Sequence, residues 1–154
     1  MRRFTIRRAT VRDLKHLRHQ RDGMFRDMGC DDEKALAAAD RAYANWVRVR
    51  IRSGRFFAWL AVAPGNRVAA GGAVWLREQQ PGPRRARLLP YLLSMYTEPE
   101  FRGKGLATKI VKAATAWGKK RRLTKMLLHA SSMGRGVYVR LGWKRTWEME
   151  IPLK

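Results

Sequence analysis

The segment Glu100-Phe101-Arg102-Gly103-Lys104-Gly105-Leu106-Ala107 is a glycine-rich, basic turn between a strand-like run and a long amphipathic helical pattern. Gly103 and Gly105 have no side chain beyond a hydrogen, so successive backbone N–H groups can point into one concavity that a ligand oxygen approaches closely. The helix that begins there adds its unpaired first-turn donors and the positive end of its dipole. The junction favours a phosphate-binding turn, although a plain surface connection would have the same composition.

The well-known glycine-rich phosphate signatures do not match this turn. A Walker loop requires Gly, four residues and then Gly-Lys-Ser/Thr, which occurs nowhere in the chain. A dinucleotide fingerprint would require glycine at position 108, where the chain has Thr108. The protein-kinase loop fails for the same reason, and 154 residues is short for a kinase.

Composition indicates a globular chain. At 154 residues we expect one domain spanning 1–154, and 45% hydrophobic content argues against disorder. Cys30 is the only cysteine, and the three histidines show no metal-ligand spacing, so we expect no structural metal and a reducing, cytoplasmic location. The sequence shows neither a signal-peptide pattern nor an apolar run long enough to span a membrane.

The order of predicted elements is that of an α/β protein. Thr10-Val11-Arg12-Asp13 is typical of a capping box, and Pro64-Gly65-Asn66-Arg67 is typical of a turn within an antiparallel hairpin. A second helix is expected to be capped by Asp31 or Cys30, and a fourth by Ser131 or Ser132. The predicted strands cover 4–7, 56–63, 68–76, 91–97, 125–130 and 143–151; the predicted helices end near 28, 51, 120 and 141; residues 77–90 are predicted to form a loop.

Charge is distributed unevenly along the chain. The 34 basic and 12 acidic residues give a formal charge of +22, which predicts attraction to polyanions and a strong field around any anionic ligand. Residues 101–147 contain thirteen Lys or Arg and no carboxylate, whereas residues 22–40 hold half of the acidic total. The basic half therefore coincides with the predicted phosphate-binding turn.

Three stretches resemble one enzyme family. The pattern Arg102-x-x-Gly105-x-Ala107 resembles the acyl-CoA signature Gln/Arg-x-x-Gly-x-Gly/Ala of the GNAT superfamily of N-acetyltransferases. The preceding run 92–99 resembles that family's fourth strand, and Tyr138-x-x-x-Gly142-Trp143 resembles its later Tyr-x-x-x-Gly-aromatic element. The resemblance implies an α/β GNAT (acyl-CoA N-acyltransferase) fold, with a mixed central sheet, splayed parallel strands and about four helices.

The resemblance also implies a site for acetyl-CoA as co-substrate. Main-chain groups of the fourth strand would meet the pantetheine arm, and amides of the turn would hold the diphosphate. A serine stands where the family often has asparagine near the cofactor's amide chain, and it reaches less far. The implied cofactor-binding residues are Met95, Tyr96, Thr97, Arg102, Gly103, Lys104, Gly105, Leu106, Ala107 and Ser131.

By the same resemblance, Tyr138 protonates the departing thiolate as general acid; the plainer alternative is a ring packed beneath the last helix. A surrounding positive field would lower the pKa of this phenol. The attacking amine must lose a proton, and Glu98 or Glu78 could accept it. A chain of water that ends at Glu98 or at a backbone carbonyl is favoured over direct abstraction, because the positive charge lowers the pKa of a carboxylate. Each glutamate could equally pair with a nearby arginine. His129 is expected to be a hydrogen-bonded core residue, and Cys30 has no basic partner that would make it a nucleophile.

Two functions remain open from the sequence. The first is an N-acetyltransferase that passes acetyl from acetyl-CoA directly to a primary amine in a ternary complex. The acceptor is unidentified, and the positive charge favours an amine on an anionic scaffold over polyamines. If the acidic segment 22–40 lines the acceptor mouth, however, it could draw in a modest cationic amine or a protein N-terminus. The second is a basic nucleic-acid- or ribosome-associated protein with the same fold, for which an aminoacyl-tRNA is one candidate substrate, although no aromatic stacking platform is evident among its arginines. A monomer and a homodimer both remain open.

Overall fold

The computed structural model of the chain describes residues 4–83 and 86–153. Within these ranges the strands are β1 (Thr5–Arg8), β2 (Phe56–Ala63), β3 (Arg67–Glu78), β4 (Leu88–Thr97) and β5 (Leu127–Leu128). The helices are α1 (Leu14–Asp27), α2 (Glu33–Arg52), α3 (Leu106–Lys120) and α4 (Arg135–Arg140). Short 3-10 turns lie at Val11–Asp13 and Pro99–Phe101.

The five strands form one mixed sheet in the order β1-β2-β3-β4-β5. Neighbouring strands from β1 to β4 pair antiparallel, and the pair β2 and β3 is the hairpin that the turn at Pro64-Gly65 predicts. The pair β4 and β5 is parallel, with Tyr91 opposite Leu127 and Leu92 opposite Leu128. A mixed sheet with four helices is the architecture that the sequence predicts.

Alternating side chains of β2 divide the core into two layers, because successive strand residues point to opposite faces. Phe57 and Trp59 pack in one cluster with Ile110 and Ala114 of α3. Phe56, Ala58 and Leu60 pack in a second cluster with residues of α1 and α2, among them Leu17, Tyr43 and Val47. Helices therefore cover both faces of the sheet.

Capping signals stand at the 3-10 turn that leads into α1 and at the start of α2. Thr10 and Asp13 form the expected capping box, in which the Thr10 amide donates to Asp13 Oδ2 at 2.9 Å. α2 is capped by Asp32, whose side chain accepts from the Ala35 amide at 2.9 Å. The expectation of Asp31 or Cys30 as cap is therefore wrong, because α2 begins at Glu33 and the residue at its N-cap position is Asp32.

The connection after β3 is shorter than expected. The sequence predicts a loop over 77–90, but β3 continues to Glu78 and β4 begins at Leu88, with Glu78 opposite Leu88. The two strands extend each other by antiparallel pairing, which tolerates Pro90 on β4. Residues 84 and 85 of the predicted loop lie outside the described residues.

The C-terminal part departs most from expectation. The predicted strand 125–130 is reduced to Leu127–Leu128, and the predicted strand 143–151 does not form. Trp147, Met149 and Ile151 are 97%, 90% and 79% exposed. A two-residue edge strand offers few backbone groups for another strand to pair with, so alternating apolar residues alone do not produce one here. No helix among the described residues is long and apolar enough to cross a membrane.

Candidate active site

A β-bulge interrupts β4 before its last residues. The register between β3 and β4 shifts between Gly71, which is opposite Tyr96, and Ala73, which is opposite Leu93. Ser94 and Met95 therefore face the single residue Gly72, and Ser94 adopts a left-handed φ of 54°. A bulge disrupts the ladder of hydrogen bonds locally and bends the strand, so β4 changes direction at Ser94 and Met95.

Beyond the bulge, β4 has one open edge. Its parallel pairing with β5 is confined to Tyr91 and Leu92, so β5 does not pair with the strand from Leu93 to Thr97. On the other edge, the pairs Tyr96–Gly71 and Thr97–Ala70 with β3 remain. The strands are thus splayed as the sequence predicts, and main-chain groups of half-buried Met95, Tyr96 and Thr97 border the opening.

The predicted turn lies at the end of this opening. Gly103 and Gly105 have left-handed φ values of 74° and 72°, and a Cβ added to either would have nothing within 4 Å. Among the described residues, no backbone carbonyl outside α3 accepts from the Gly103, Lys104 or Gly105 amide. α3 begins at Leu106, which is 2% exposed and anchors the turn to the core, while Ala107 is half-buried. A cradle of main-chain donors therefore stands before a helix N-terminus, which suits a diphosphate.

The two cationic side chains of the turn hold the turn itself. Arg102 Nε donates to the Thr97 carbonyl at 3.0 Å, and Arg102 also pairs with Asp27 of α1 at 2.5 Å. Lys104 Nζ donates to the Glu100 carbonyl at 2.7 Å. We therefore expect Arg102 and Lys104 to contribute to cofactor binding through their backbone and by fixing the position of the turn, since both side chains already bond within the protein.

Glu98 meets a histidine that sequence reasoning missed. His19 Nε2 lies 2.8 Å from Glu98 Oε1, and the Glu98 side chain is 17% exposed while that of His19 is 64% exposed. The Tyr96 hydroxyl donates to Glu98 Oε2 at 3.5 Å, and burial raises the pKa of Tyr96. The pair joins a mostly buried carboxylate to an imidazole open to solvent.

Tyr138 lies on α4 against the core. Its ring packs edge-on against Trp143, with centroids 6.0 Å apart. Burial raises the pKa of Tyr138, so the expectation that positive charge lowers it is wrong. Ser131 Oγ accepts from the Gly134 amide at 3.1 Å and supports the turn before α4, which begins only at Arg135.

These features match one enzyme family. The sequence model described as acetyltransferase (GNAT) family matches residues 17–143. The chain belongs to the GNAT family. It is therefore an acetyl-CoA-dependent N-acetyltransferase, as its sequence predicts.

Solved GNAT structures share the whole fold. A GCN5-related N-acetyltransferase from Ralstonia eutropha JMP134 is 29% identical, with a TM-score of 0.87 over 98% of this chain and 99% of that one. A predicted acetyltransferase from Clostridium acetobutylicum, solved with acetyl-CoA, is 26% identical, with a TM-score of 0.86 over 98% and 97%. The aminoglycoside 6'-N-acetyltransferase AAC(6')-Ih from Acinetobacter baumannii, at 17% identity and a TM-score of 0.73 over 99% and 98%, shares the fold alone. No curated protein sequence matches the chain.

Other predicted residues lie elsewhere in this GNAT enzyme. Glu78 is 71% exposed in its side chain and pairs with Arg87 across the β3–β4 connection. His129 follows β5 and is exposed, so the expectation of a core histidine is wrong, because β5 ends one residue earlier. Cys30 is a half-buried free thiol in the connection between α1 and α2.

A cleft of about 400 Å³ lies between α1 and α2 of the GNAT fold. It contains much of the acidic segment 22–40, but arginines pair with these carboxylates. Arg26 bonds Asp22 at 2.8 Å and Glu33 at 2.5 Å, and Arg18 pairs with Asp40. Lys15 and His19 complete its polar wall. Much of the negative charge that segment 22–40 brings to this cleft is therefore paired with arginine.

Proposed function

We propose that this GNAT enzyme transfers acetyl from acetyl-CoA directly to a primary amine within a ternary complex. The observation that carries the proposal is the continuity between two open main-chain surfaces. The unpaired edge of β4 at Met95–Thr97 leads into the left-handed turn at Gly103 and Gly105. A long ligand with an amide-containing arm and a diphosphate fits that sequence of donors and acceptors.

The turn supplies the charge complement for the donor. Bound acetyl-CoA supplies a thioester whose carbonyl carbon is open to attack by an amine. The amides of residues 103–107 and the positive end of α3 offset the diphosphate charge, and no side chain at Gly103 or Gly105 blocks the approach. The pair Arg102–Asp27 holds this turn against α1.

Tyr138 is proposed to protonate the leaving sulfur. As the amine nitrogen bonds to the carbonyl carbon, the carbon–sulfur bond breaks and its electrons remain on sulfur. A phenol whose pKa is raised by burial stays protonated at neutral pH and can donate that proton. Solvent then returns a proton to the phenolate.

Glu98 is proposed to accept the proton of the acceptor ammonium, with His19 and water as the relay. His19 Nε2 contacts the carboxylate, and its exposed ring can exchange protons with solvent. Tyr96 holds the second carboxylate oxygen.

The acceptor is proposed to be an amine on an anionic or neutral scaffold. The cleft beside α1 combines Lys15, Arg18 and Arg26 with carboxylates that are already paired to arginine. Such a surface has little unpaired negative charge for a polycation, and the net charge of +22 opposes one. The fold shared with an aminoglycoside acetyltransferase adds no support for a polyamine acceptor, since its 17% identity concerns the fold alone.

Initial-rate kinetics tests this proposal. Acetyl-CoA consumption is measured against a panel of amino acids, aminonucleotides and polyamines, with each substrate varied at several fixed concentrations of the other. A ternary complex predicts intersecting double-reciprocal lines, and the charge argument predicts a higher kcat/KM for anionic amines than for spermidine. Parallel lines with a trapped acetyl-enzyme would contradict direct transfer.

A further inference from the structure

Two arginine side chains share one aromatic surface on the α3 face of the sheet. The guanidinium carbons of Arg8 and Arg121 each lie 4.8 Å from the Phe57 ring centroid. Arg8 also lies 4.8 Å from Trp59, and Arg121 lies 4.9 Å from Trp117. No sequence spacing relates these residues, because β1, β2 and α3 bring them together only in the fold.

This Arg8–Arg121 site holds two like charges close together. Among the described residues, no carboxylate lies within salt-bridge distance of either guanidinium. Burial and the charge of Arg121 together lower the pKa of Arg8. The aromatic faces offset part of this repulsion, and an anion bridging both guanidiniums would offset the rest.

Further cationic side chains flank Arg121 in the chain. The exposed side chains of Lys119, Lys120 and Arg122 follow at the end of α3 and the turn beyond it. The positive surface therefore extends past two guanidiniums, as an extended polyanion requires.

The site is separate from the donor site. The Gly103–Gly105 turn precedes the N-terminus of α3, whereas Arg121 follows its C-terminus. Fifteen residues of helix span about 22 Å. A ligand at the Arg8–Arg121 site is therefore not the diphosphate of the acyl donor.

We propose that the Arg8–Arg121 site binds the phosphodiester backbone of a single-stranded nucleic acid. Guanidinium forks match phosphate oxygens, and the planar guanidinium of an arginine also stacks on unpaired bases, which a duplex does not expose. None of the most exposed large apolar side chains belongs to β1, β2 or α3. A membrane surface, which would use such anchors, fits the site less well.

Fluorescence anisotropy of a labelled 12-nucleotide RNA, in a potassium chloride series, tests the proposal. Each phosphate contact to a single strand contributes about 0.7 to the slope of log K against log salt. The double variant Arg8→Gln/Arg121→Gln should lower affinity about tenfold at low salt and reduce the slope by about 1.4. Each single variant retains one guanidinium over Phe57 and should reduce the slope by about 0.7.

The matched control is Arg48→Gln/Arg52→Gln, which removes the same charge from exposed positions on α2. If the control lowers affinity and slope as much as the Arg8/Arg121 variant, binding depends on net charge alone and the site is refuted. Tripolyphosphate is the second probe. The assignment is upheld if RNA affinity falls in the Arg8/Arg121 variant and tripolyphosphate displaces RNA from the parent protein only weakly. Tight tripolyphosphate binding without RNA binding, or stronger binding of anionic vesicles than of RNA, overturns it.

Discussion

Asp27 near the end of α1 bonds Arg102 of the glycine-rich turn, with Oδ2 2.5 Å from the Arg102 nitrogen. Removing the carboxylate makes the protein more positive, so electrostatics alone would strengthen binding of anionic acetyl-CoA. If the bond positions the turn, Asp27→Ala should instead raise the KM for acetyl-CoA about threefold, with kcat changed little. Arg102→Ala should do the same.

Steady-state kinetics at two salt concentrations separates these effects, because the positional loss persists when salt screens charge. Asp31→Ala, which removes an exposed carboxylate near the start of α2, is the matched control. A lower KM in Asp27→Ala would show that the ion pair has no positioning role.

Tyr138→Phe should lower kcat about a hundredfold while leaving the KM for acetyl-CoA within twofold, because only the proton donor is lost. Burial raises the pKa of Tyr138, so ionisation of this phenol should reduce kcat only above pH 10. The control is Tyr91→Phe, which removes a hydroxyl from a half-buried tyrosine of β4. Equal kcat in Tyr138→Phe and the parent enzyme across pH would show that Tyr138 only packs.

Ser94→Val should destabilise the fold by about 1–2 kcal/mol, because a β-branched residue is strained at a left-handed φ. Ser94→Asn should be nearly neutral, since asparagine tolerates that conformation. Urea unfolding measures both. Equal stability of the two variants would mean that β4 has no such bulge in solution.

Gly23→Ala should destabilise the protein by about 1 kcal/mol, although alanine favours helices. A Cβ at Gly23 of α1 would lie 2.6 Å from Tyr96 Cζ. Gly118→Ala in α3 meets only the end of Met126 at 3.3 Å, and helix propensity should stabilise it by about 0.5–1 kcal/mol. Thermal unfolding compares the two, and a gain in both would exclude tight packing between α1 and Tyr96.

Asp13 links stability to acid pH. Hydrogen bonds from Arg7 lower the pKa of Asp13 to about 2, below the ordinary value of an unfolded chain. The ionised Asp13 carboxylate therefore contributes fully to the free energy of unfolding above about pH 5, and this contribution is lost as pH falls toward 2. About 1 kcal/mol of it is lost between pH 6 and pH 3. Urea unfolding of Asp13→Asn should lack that part of the pH dependence, whereas Asp31→Asn should retain it.

Features encoded by neighbouring residues were predictable from the sequence. The turn at Gly103 and Gly105 and the capping box of Thr10 and Asp13 depend on side chains within a few positions of each other. The apolar face of α3 follows from helical periodicity, and Ile110 is fully buried as expected. Such features require no knowledge of the tertiary fold.

Features that join distant segments were not predictable. His19 and Glu98 are 79 positions apart, and Asp27 and Arg102 are 75 apart, so no spacing in the sequence relates them. The alternating residues of 143–151 predict a strand, but a strand also requires a partner edge, and β5 has only two residues. Exposure of Trp147 is a consequence of that tertiary geometry.

Calorimetric titration with acetyl-CoA and with acetylpantetheine compares two ligands that share the thioester and arm but differ in the diphosphate-containing nucleotide. If the amides at Gly103–Ala107 hold the diphosphate, acetyl-CoA should bind at least about a hundredfold more tightly at moderate ionic strength. Equal affinities for the two ligands, or no measurable heat with acetyl-CoA at low salt, would contradict a diphosphate site in this turn.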